Sequence, residues 1–317
     1  MSKKRQIALL GAVVLFFGFL YLAGPPRAFE GQEARWKERT IAGRGIDKVA
    51  VIEIQGEIVS SAGGLPAGLT SATAAEDLTS QLRQARNDDA VRGVVLRLNT
   101  PGGSVVASDE VLAELREVRR SGKPIVAYLG EMAASGGYFV ATGADRIIAN
   151  PSSLTGSIGA IMVLFNLEEA AGKLGVEPVI VKAGRYKDIG SPFRDMGPSE
   201  RRILQRLIDG AYRRFVSVVA RGRGLSLAKV RSIADGRIIS GGEARDLRLV
   251  DSLGVFDDAL DAVQRLAGLE DARVVEYREQ QSFVDLLIGM RTRVNPVEEV
   301  QRSLGATGPA LKYLYTP

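Results

Sequence analysis

Histidine and cysteine are both missing from this sequence of 317 residues. Their absence excludes a Ser-His-Asp triad, a Cys-His pair, a histidine-held zinc hydrolase, an iron–sulfur protein and a disulfide scaffold, since each needs a residue the chain does not contain. A general base would have to be Lys, Asp, Glu or Tyr. No cofactor or metal ion is expected. Aromatic residues are few, at 6%, but 45% hydrophobic and 25% charged residues are the balance of a folded protein. The net charge of +5 and pI near 9.4 suit an anionic membrane surface. No nucleic-acid motif accompanies the charge, so no nucleic-acid partner is expected.

The segment 7–23 is uncharged and follows Lys3, Lys4 and Arg5, which predicts a membrane helix with a basic flank. At about 1.5 Å per residue it reaches roughly 25 Å, against about 30 Å of hydrocarbon. The uncharged interval from Gln6 to Pro26 leaves room to span. A cleavable signal peptide is the rival, although Tyr21-Leu22-Ala23-Gly24-Pro25 suits its cut badly. The positive-inside rule puts the amino terminus in the cytoplasm and the chain after Arg27 on the extracytoplasmic side of the inner membrane. The expected domains are an anchor over 1–24, a stalk over 25–46, a catalytic-sized domain over 47–277, and an amphipathic segment and tail over 278–317.

From residue 49 strands and helices alternate. Strands are predicted over 49–54, 93–98, 124–129, 146–149, 161–165 and 179–181. Helices are predicted over 76–86, 107–120 and 199–221, and two further elements over 241–246 and 257–266 complete the globular part. Runs that are apolar on both faces, separated by amphipathic helices, imply an α/β fold with a mainly parallel sheet covered by helices. The helix over 199–221 repeats Ile203, Leu204, Leu207, Ile208, Ala211, Phe215 and Val219 at helical spacing, so one face packs on a core or a second subunit.

With His and Cys absent, a nucleophilic mechanism pairs a hydroxyl with a desolvated lysine. Of the ten lysines, Lys187 lies in Gly184-Arg185-Tyr186-Lys187-Asp188-Ile189-Gly190-Ser191-Pro192, after a predicted strand, where parallel α/β folds place their sites. A solvated loop lysine is the plain alternative. Ser135, in Met132-Ala133-Ala134-Ser135-Gly136-Gly137-Tyr138, is the candidate nucleophile or an ordinary helix cap. The turn Asn99-Thr100-Pro101-Gly102-Gly103-Ser104 could present amides to an oxyanion; the spacing of a phosphate loop is missing. Thr155-Gly156-Ser157-Ile158-Gly159 is a third glycine-flanked hydroxyl run or a simple turn.

The runs Ala134-Ser135-Gly136-Gly137-Tyr138, Ala144-Asp145, Thr155-Gly156-Ser157-Ile158-Gly159 and Tyr186-Lys187-Asp188-Ile189-Gly190-Ser191-Pro192, in that order, resemble the signal peptide peptidase A family. Its members are membrane-anchored Ser-Lys serine proteases of the Clp protease and crotonase type of fold. The resemblance covers about 48–267 and implies Ser135 as nucleophile, Lys187 as general base, and Ser157 as the residue that orients the lysine. It implies oxyanion-hole amides at Gly103 and Gly136. Expected partners are remnant signal peptides and other hydrophobic peptides, and further copies of the chain in a ring or dome, with the dyad shared between protomers.

Two positions depart from the family pattern: Arg248, where glycine is usual, and Phe139, where a second tyrosine is frequent. Asp188 should face away from the amine, because a nearby carboxylate would keep the lysine charged. A crotonase-like acyl-CoA enzyme and a non-catalytic membrane scaffold of the same fold are the rival readings. Leu311-Lys312-Tyr313-Leu314-Tyr315 is either a tail that docks in an active site or a frayed end.

Overall fold

The computed structural model describes residues 36–61, 72–279 and 311–315. Its contacts separate Met1–Lys37 from Glu38–Pro317, and the second unit holds the architecture below apart from the first two residues of its first strand. The expected anchor lies outside the described residues. Among the described residues no helix is long and apolar enough to cross a membrane.

The strands are β1 (Trp36–Ala42), β2 (Lys48–Gln55), β3 (Glu57–Val59), β4 (Ala72–Ala74), β5 (Val91–Thr100), β6 (Gly102–Ser104), β7 (Ile125–Ala134), β8 (Arg146–Ala149), β9 (Leu154–Gly156), β10 (Ile238–Ser240), β11 (Ser252–Leu253), β12 (Arg273–Glu279) and β13 (Lys312–Leu314). The helices are α1 (Ala75–Asn87), α2 (Val105–Arg120), α3 (Gly136–Ala141), α4 (Glu168–Lys173), α5 (Pro198–Arg223), α6 (Leu227–Arg231), α7 (Gly241–Asp246) and α8 (Phe256–Ala267). The main sheet runs β1-β12-β2-β5-β7-β8-β11, with β9 on β7 and β10 on β9. The pairings of β12 with β2, and of β2, β5, β7 and β8 in succession, are parallel. A smaller sheet, β13-β6-β3-β4, stands beside the ends of β2 and β5.

Register explains why the central strands are apolar on both faces. Val51, Val95 and Val126 stand in one row, and Ile52, Leu96, Ala127 and Ile147 in the neighbouring row, which faces the other way. The first row packs with Ala259, Ala262 and Val263 of α8. On the opposite side α1 packs against α2 and onto the sheet, and its buried Leu78, Leu82 and Ala85 recur at helical spacing. Each fully buried Ile or Leu contributes about 1.5–3 kcal/mol relative to exposure, so these rows fix the register. The carboxyl end of α1 is closed by Lys123, whose amine donates to the Ala85, Arg86 and Asp88 carbonyls at 2.8, 2.8 and 2.6 Å.

Three expectations need correction. Residues 36–42, inside the stretch read as a stalk, form β1. The strand expected over 161–165 is reduced to one bridge, Ile161 to Lys312, and 179–181 forms none. Val163, Phe165, Val179 and Val181 are 54%, 60%, 88% and 95% exposed, so these apolar runs have no sheet to join in the single chain. Strand β12, by contrast, went unread because its charged end hides four buried positions.

Arg248 sits where α7 ends. The Leu249 N–H donates to the Ala244 carbonyl at 2.7 Å and the Arg248 N–H to the Arg245 carbonyl at 2.9 Å, the two bonds of a Schellman close. That close requires a left-handed residue, and Arg248 has φ 63°. Arg248→Gly is expected to raise the free energy of unfolding by about 1 kcal/mol, read from urea midpoints at unchanged slope. An unchanged midpoint would show that the Arg248 side chain offsets its backbone cost.

Candidate active site

Four chain segments meet at the carboxyl ends of β5, β7 and β9. Strand β5 ends in Thr100, after which Gly102 takes φ 108° and donates its N–H to Thr100 Oγ1 at 3.0 Å. A Cβ on Gly103 would lie 2.0 Å from the Ile58 carbonyl oxygen, so β6 packs on β3 only because that side chain is missing.

Ser135 links the end of β7 to the start of α3 with φ 51° and ψ −115°. A capping serine has extended backbone and a side-chain bond to the first turn; Ser135 has neither, so the cap reading fails. A non-glycine residue in this region costs on the order of 1–3 kcal/mol. A serine on a sharp strand-to-helix turn presents its hydroxyl at the end of the sheet. Ser135 donates its N–H to the Gly156 carbonyl at 2.9 Å, and Ala134 stands opposite Gly156 in register. Ser157 therefore sits at the same end of the adjacent strand, also left-handed at φ 49°, with its N–H on the Arg237 carbonyl at 2.8 Å.

The two expected oxyanion amides converge. A Cβ on Gly136 would be 3.0 Å from the Gly103 nitrogen, and one on Gly102 would be 2.7 Å from the Gly136 nitrogen. The carbonyl oxygen of Tyr313 lies in the same place, 3.0 Å from the position of a Gly136 Cβ and 2.2 Å from that of a Gly102 Cβ. Ser135, Ser157, Gly103 and Gly136 are thus brought together within one chain.

Lys187 is not brought to them. It is exposed, in a turn where its N–H bonds the Gly184 carbonyl at 3.1 Å, and no hydrogen bond among the described residues joins its amine to Ser135 or Ser157. The strand expected before its loop is the exposed stretch already described. The Asp188 carboxylate turns instead to Lys182 and to Arg194 Nε at 2.9 Å. Arg194 also grips Glu200, and Glu200 accepts the Gly197 N–H at 2.8 Å at the start of α5. The hydrogen bonds from Arg194 hold the Asp188 carboxyl well below the usual carboxylate range and lower that of Glu200 to about 2. Arg194 was not legible beforehand, because an irregular loop rather than a periodic element delivers its partners. Glu200, three residues after Gly197, carries a helix-start signal that could have been read.

Residues 117–270 match the model of peptidase family S49. Over 196 residues the chain is 42% identical to a protein of Methanocaldococcus jannaschii provisionally named a protease, covering 62% of this chain and 63% of that one. A provisionally named signal peptide peptidase SppA of Enterococcus faecium is 38% identical over 64% of this chain and 59% of its own length. Protease 4 of Salmonella typhi is 39% identical over 67% of this chain and 34% of its own length.

The chain belongs to peptidase family S49. It spans about three fifths of the first two relatives and about a third of the last. Ser135, Gly136, Ser157 and Lys187 fall inside the S49 match, and Gly103 lies before it.

Two outcomes follow from the strained serine and the ion-paired loop. Ser135→Gly is expected to raise the unfolding free energy by about 1 kcal/mol through relief of the backbone, whereas Ser135→Ala should not. Equal urea midpoints would mean the φ value stores no strain. The folded value of Glu200 lies below its unfolded one of 4.5, so its contribution is complete above about pH 5 and lost as pH falls through about 2. Measured against an unfolded reference peptide in the same digest, pepsin should nick 182–197 much faster at pH 2 than at pH 4, and Arg194→Ala should remove that normalised difference. A cutting rate as low at pH 2 as at pH 4 would discount the pairing.

Proposed function

We propose that this chain is a serine peptidase with a Ser-Lys dyad, anchored in the cytoplasmic membrane and acting on the extracytoplasmic side. Ser135 Oγ attacks a peptide carbonyl and the uncharged amine of Lys187 takes its proton. The Gly103 and Gly136 amides stabilise the tetrahedral oxyanion, and water then releases the acyl group. The observation that carries this reading is the strained Ser135 turn set beside two converging amides. Ser157 is a positioning residue for the lysine. The family's work suggests remnant signal peptides and other hydrophobic peptides as substrates.

The exposure of Lys187 favours a dyad assembled between copies. The exposed Val163, Phe165, Leu174 and Val179 lie on the same stretch of chain as Lys187 and offer apolar area for a second copy to cover. Docking would take water away from the amine, and burial favours the uncharged form that can accept a proton.

Hydrolysis of a quenched hydrophobic peptide by the detergent-solubilised chain should fall at least a thousandfold in Ser135→Ala and in Lys187→Ala. The wild-type rate should rise with pH through about 7 to 9. Subunits of the two inactive variants, mixed and reassembled, should regain part of the activity, because some sites then receive an intact serine and an intact lysine. Equal rates in all three proteins would end the peptidase reading and leave a scaffold. Loss of activity in both variants with no regain on mixing would confine the dyad to one chain.

A further inference from the structure

Helix α3 has six residues, too few to hold a helical shape unaided, yet its first residue supplies one of the two oxyanion amides. Contacts from outside the helix must therefore fix where the Gly136 N–H points. All six residues are buried, but apolar packing is non-directional and does not by itself set the rotation of so short a helix. One directional bond does. The hydroxyl of Tyr138, a residue 0% exposed, donates to the Leu249 carbonyl at 2.7 Å across 111 positions of chain. Tyr138 lies about one turn beyond Ser135, whose own carbonyl accepts the Phe139 N–H at 2.8 Å, so ring and nucleophile share one short piece of backbone. Burial pushes the phenol well above its ordinary value, and it stays a donor at neutral and alkaline pH.

The acceptor is itself held on both sides. Leu249 follows Arg248 in the left-handed close of α7, and Arg223 straddles that corner. Arg223 Nε donates to the Arg248 carbonyl at 3.1 Å, and its two terminal nitrogens donate to the Asp251 carboxylate at 3.0 and 2.7 Å. The Asp251 carboxylate also accepts the Ile147 N–H at 2.7 Å, and the Asp251 N–H donates to the Ile147 carbonyl at 2.8 Å. One arginine thus brackets Leu249 at 248 and 251 and fastens it to β8 of the main sheet. The Arg223 side chain is 8% exposed, which shelters these charge-assisted bonds from water. Gly222 beside it brings the end of α5 against the end of α3, since a Cβ there would lie 2.6 Å from the Thr142 carbonyl oxygen.

Resting on the peptidase reading above, we propose that Tyr138 is a positioning residue for the oxyanion hole: its hydroxyl, anchored on the Leu249 carbonyl, sets the rotation of α3 and with it the aim of the Gly136 N–H. The ring is fully buried and acts through the backbone of α3 rather than on substrate. The constraint is tight, because an oxyanion donor works only within about 2.7–3.1 Å of the developing charge. A misplacement of about 1 Å costs on the order of a hundredfold in rate. Without the hydroxyl, the Leu249 carbonyl loses its Tyr138 partner in a buried setting, which favours a shift of α3 that admits another donor. The loss falls on the transition state and little on substrate binding, because a ground-state carbonyl carries less charge than the tetrahedral oxyanion.

The test uses the full chain in detergent with a quenched hydrophobic peptide, comparing wild type, Tyr138→Phe, Arg223→Met and a core control, Val263→Ala. Tyr138→Phe should lower kcat by about tenfold or more and leave KM within about twofold. The pH at which the rate rises should not move, because Lys187 is untouched. A peptide aldehyde, whose adduct with Ser135 places its oxygen between the two amides, should inhibit Tyr138→Phe about tenfold more weakly than wild type. The same peptide ending in an alcohol should bind both alike. Arg223→Met, which frees the Leu249 corner, should lower kcat in the same direction with KM unchanged. Val263→Ala, which opens a cavity beneath α8, should lower the urea midpoint at least as far as Tyr138→Phe does while keeping kcat within about twofold. If Ser135-dependent cutting is found and kcat is unchanged in Tyr138→Phe, or falls as far in Val263→Ala, the positioning role fails and the peptidase reading stands. If wild type cuts no peptide in a Ser135-dependent way, the peptidase reading fails and the positioning role fails with it.

Discussion

Everything at the candidate site depends on how closely backbone can approach backbone where β5, β7 and β9 end. Gly102, Gly103 and Gly136 bring two amides and a carbonyl into a space that one methyl group at any of the three would fill. The crowding fixes the rest. Ser135 must turn sharply to enter α3 beside these amides, and its N–H must find the Gly156 carbonyl, which sets Ser157 alongside. The cost is backbone strain at two serines, borne by the buried valine and leucine rows of the parallel sheet behind them.

Much of this was legible in the sequence, for identifiable reasons. Strands β2, β5 and β7 are nearly continuous runs of β-branched and other apolar residues, the signature of burial on both faces, and their helices repeat at the expected spacing. Ser135 and Gly103 stood out because small residues at strand ends have a structural purpose. The stretch holding 161–165 and 179–181 misled because apolar periodicity reports a surface that needs covering without saying what covers it. In the single chain Val179 and Val181 face solvent, and a sheet was assumed where a partner's surface serves as well. Strand β12 failed to register for the opposite reason, since Arg273, Glu276, Arg278 and Glu279 mask its buried valines.

The placement of Lys187 carries a related lesson. Sequence order put it after a strand, yet its surroundings are set by an ion-pair cluster in which Arg194 joins Asp188 to Glu200. This cluster holds the adjacent carboxylate away from the amine without any regular element. It ties the turn holding Lys187 to the first turn of α5, the helix that further along supplies Phe215 and Ala211 to the Tyr313 pocket. The turn holding Lys187 and the aromatic pocket around Tyr313 are therefore braced on one helix.

Strand β13 has only three residues, but it fills the slot between β6 and Ile161 from both edges. Another extended chain can take up that slot only after β13 has peeled away. Occupancy from solution would then saturate with concentration at a ceiling set by the opening frequency of this short strand, however fast encounters become. Its few main-chain bonds and single anchoring ring set how often that slot stands open.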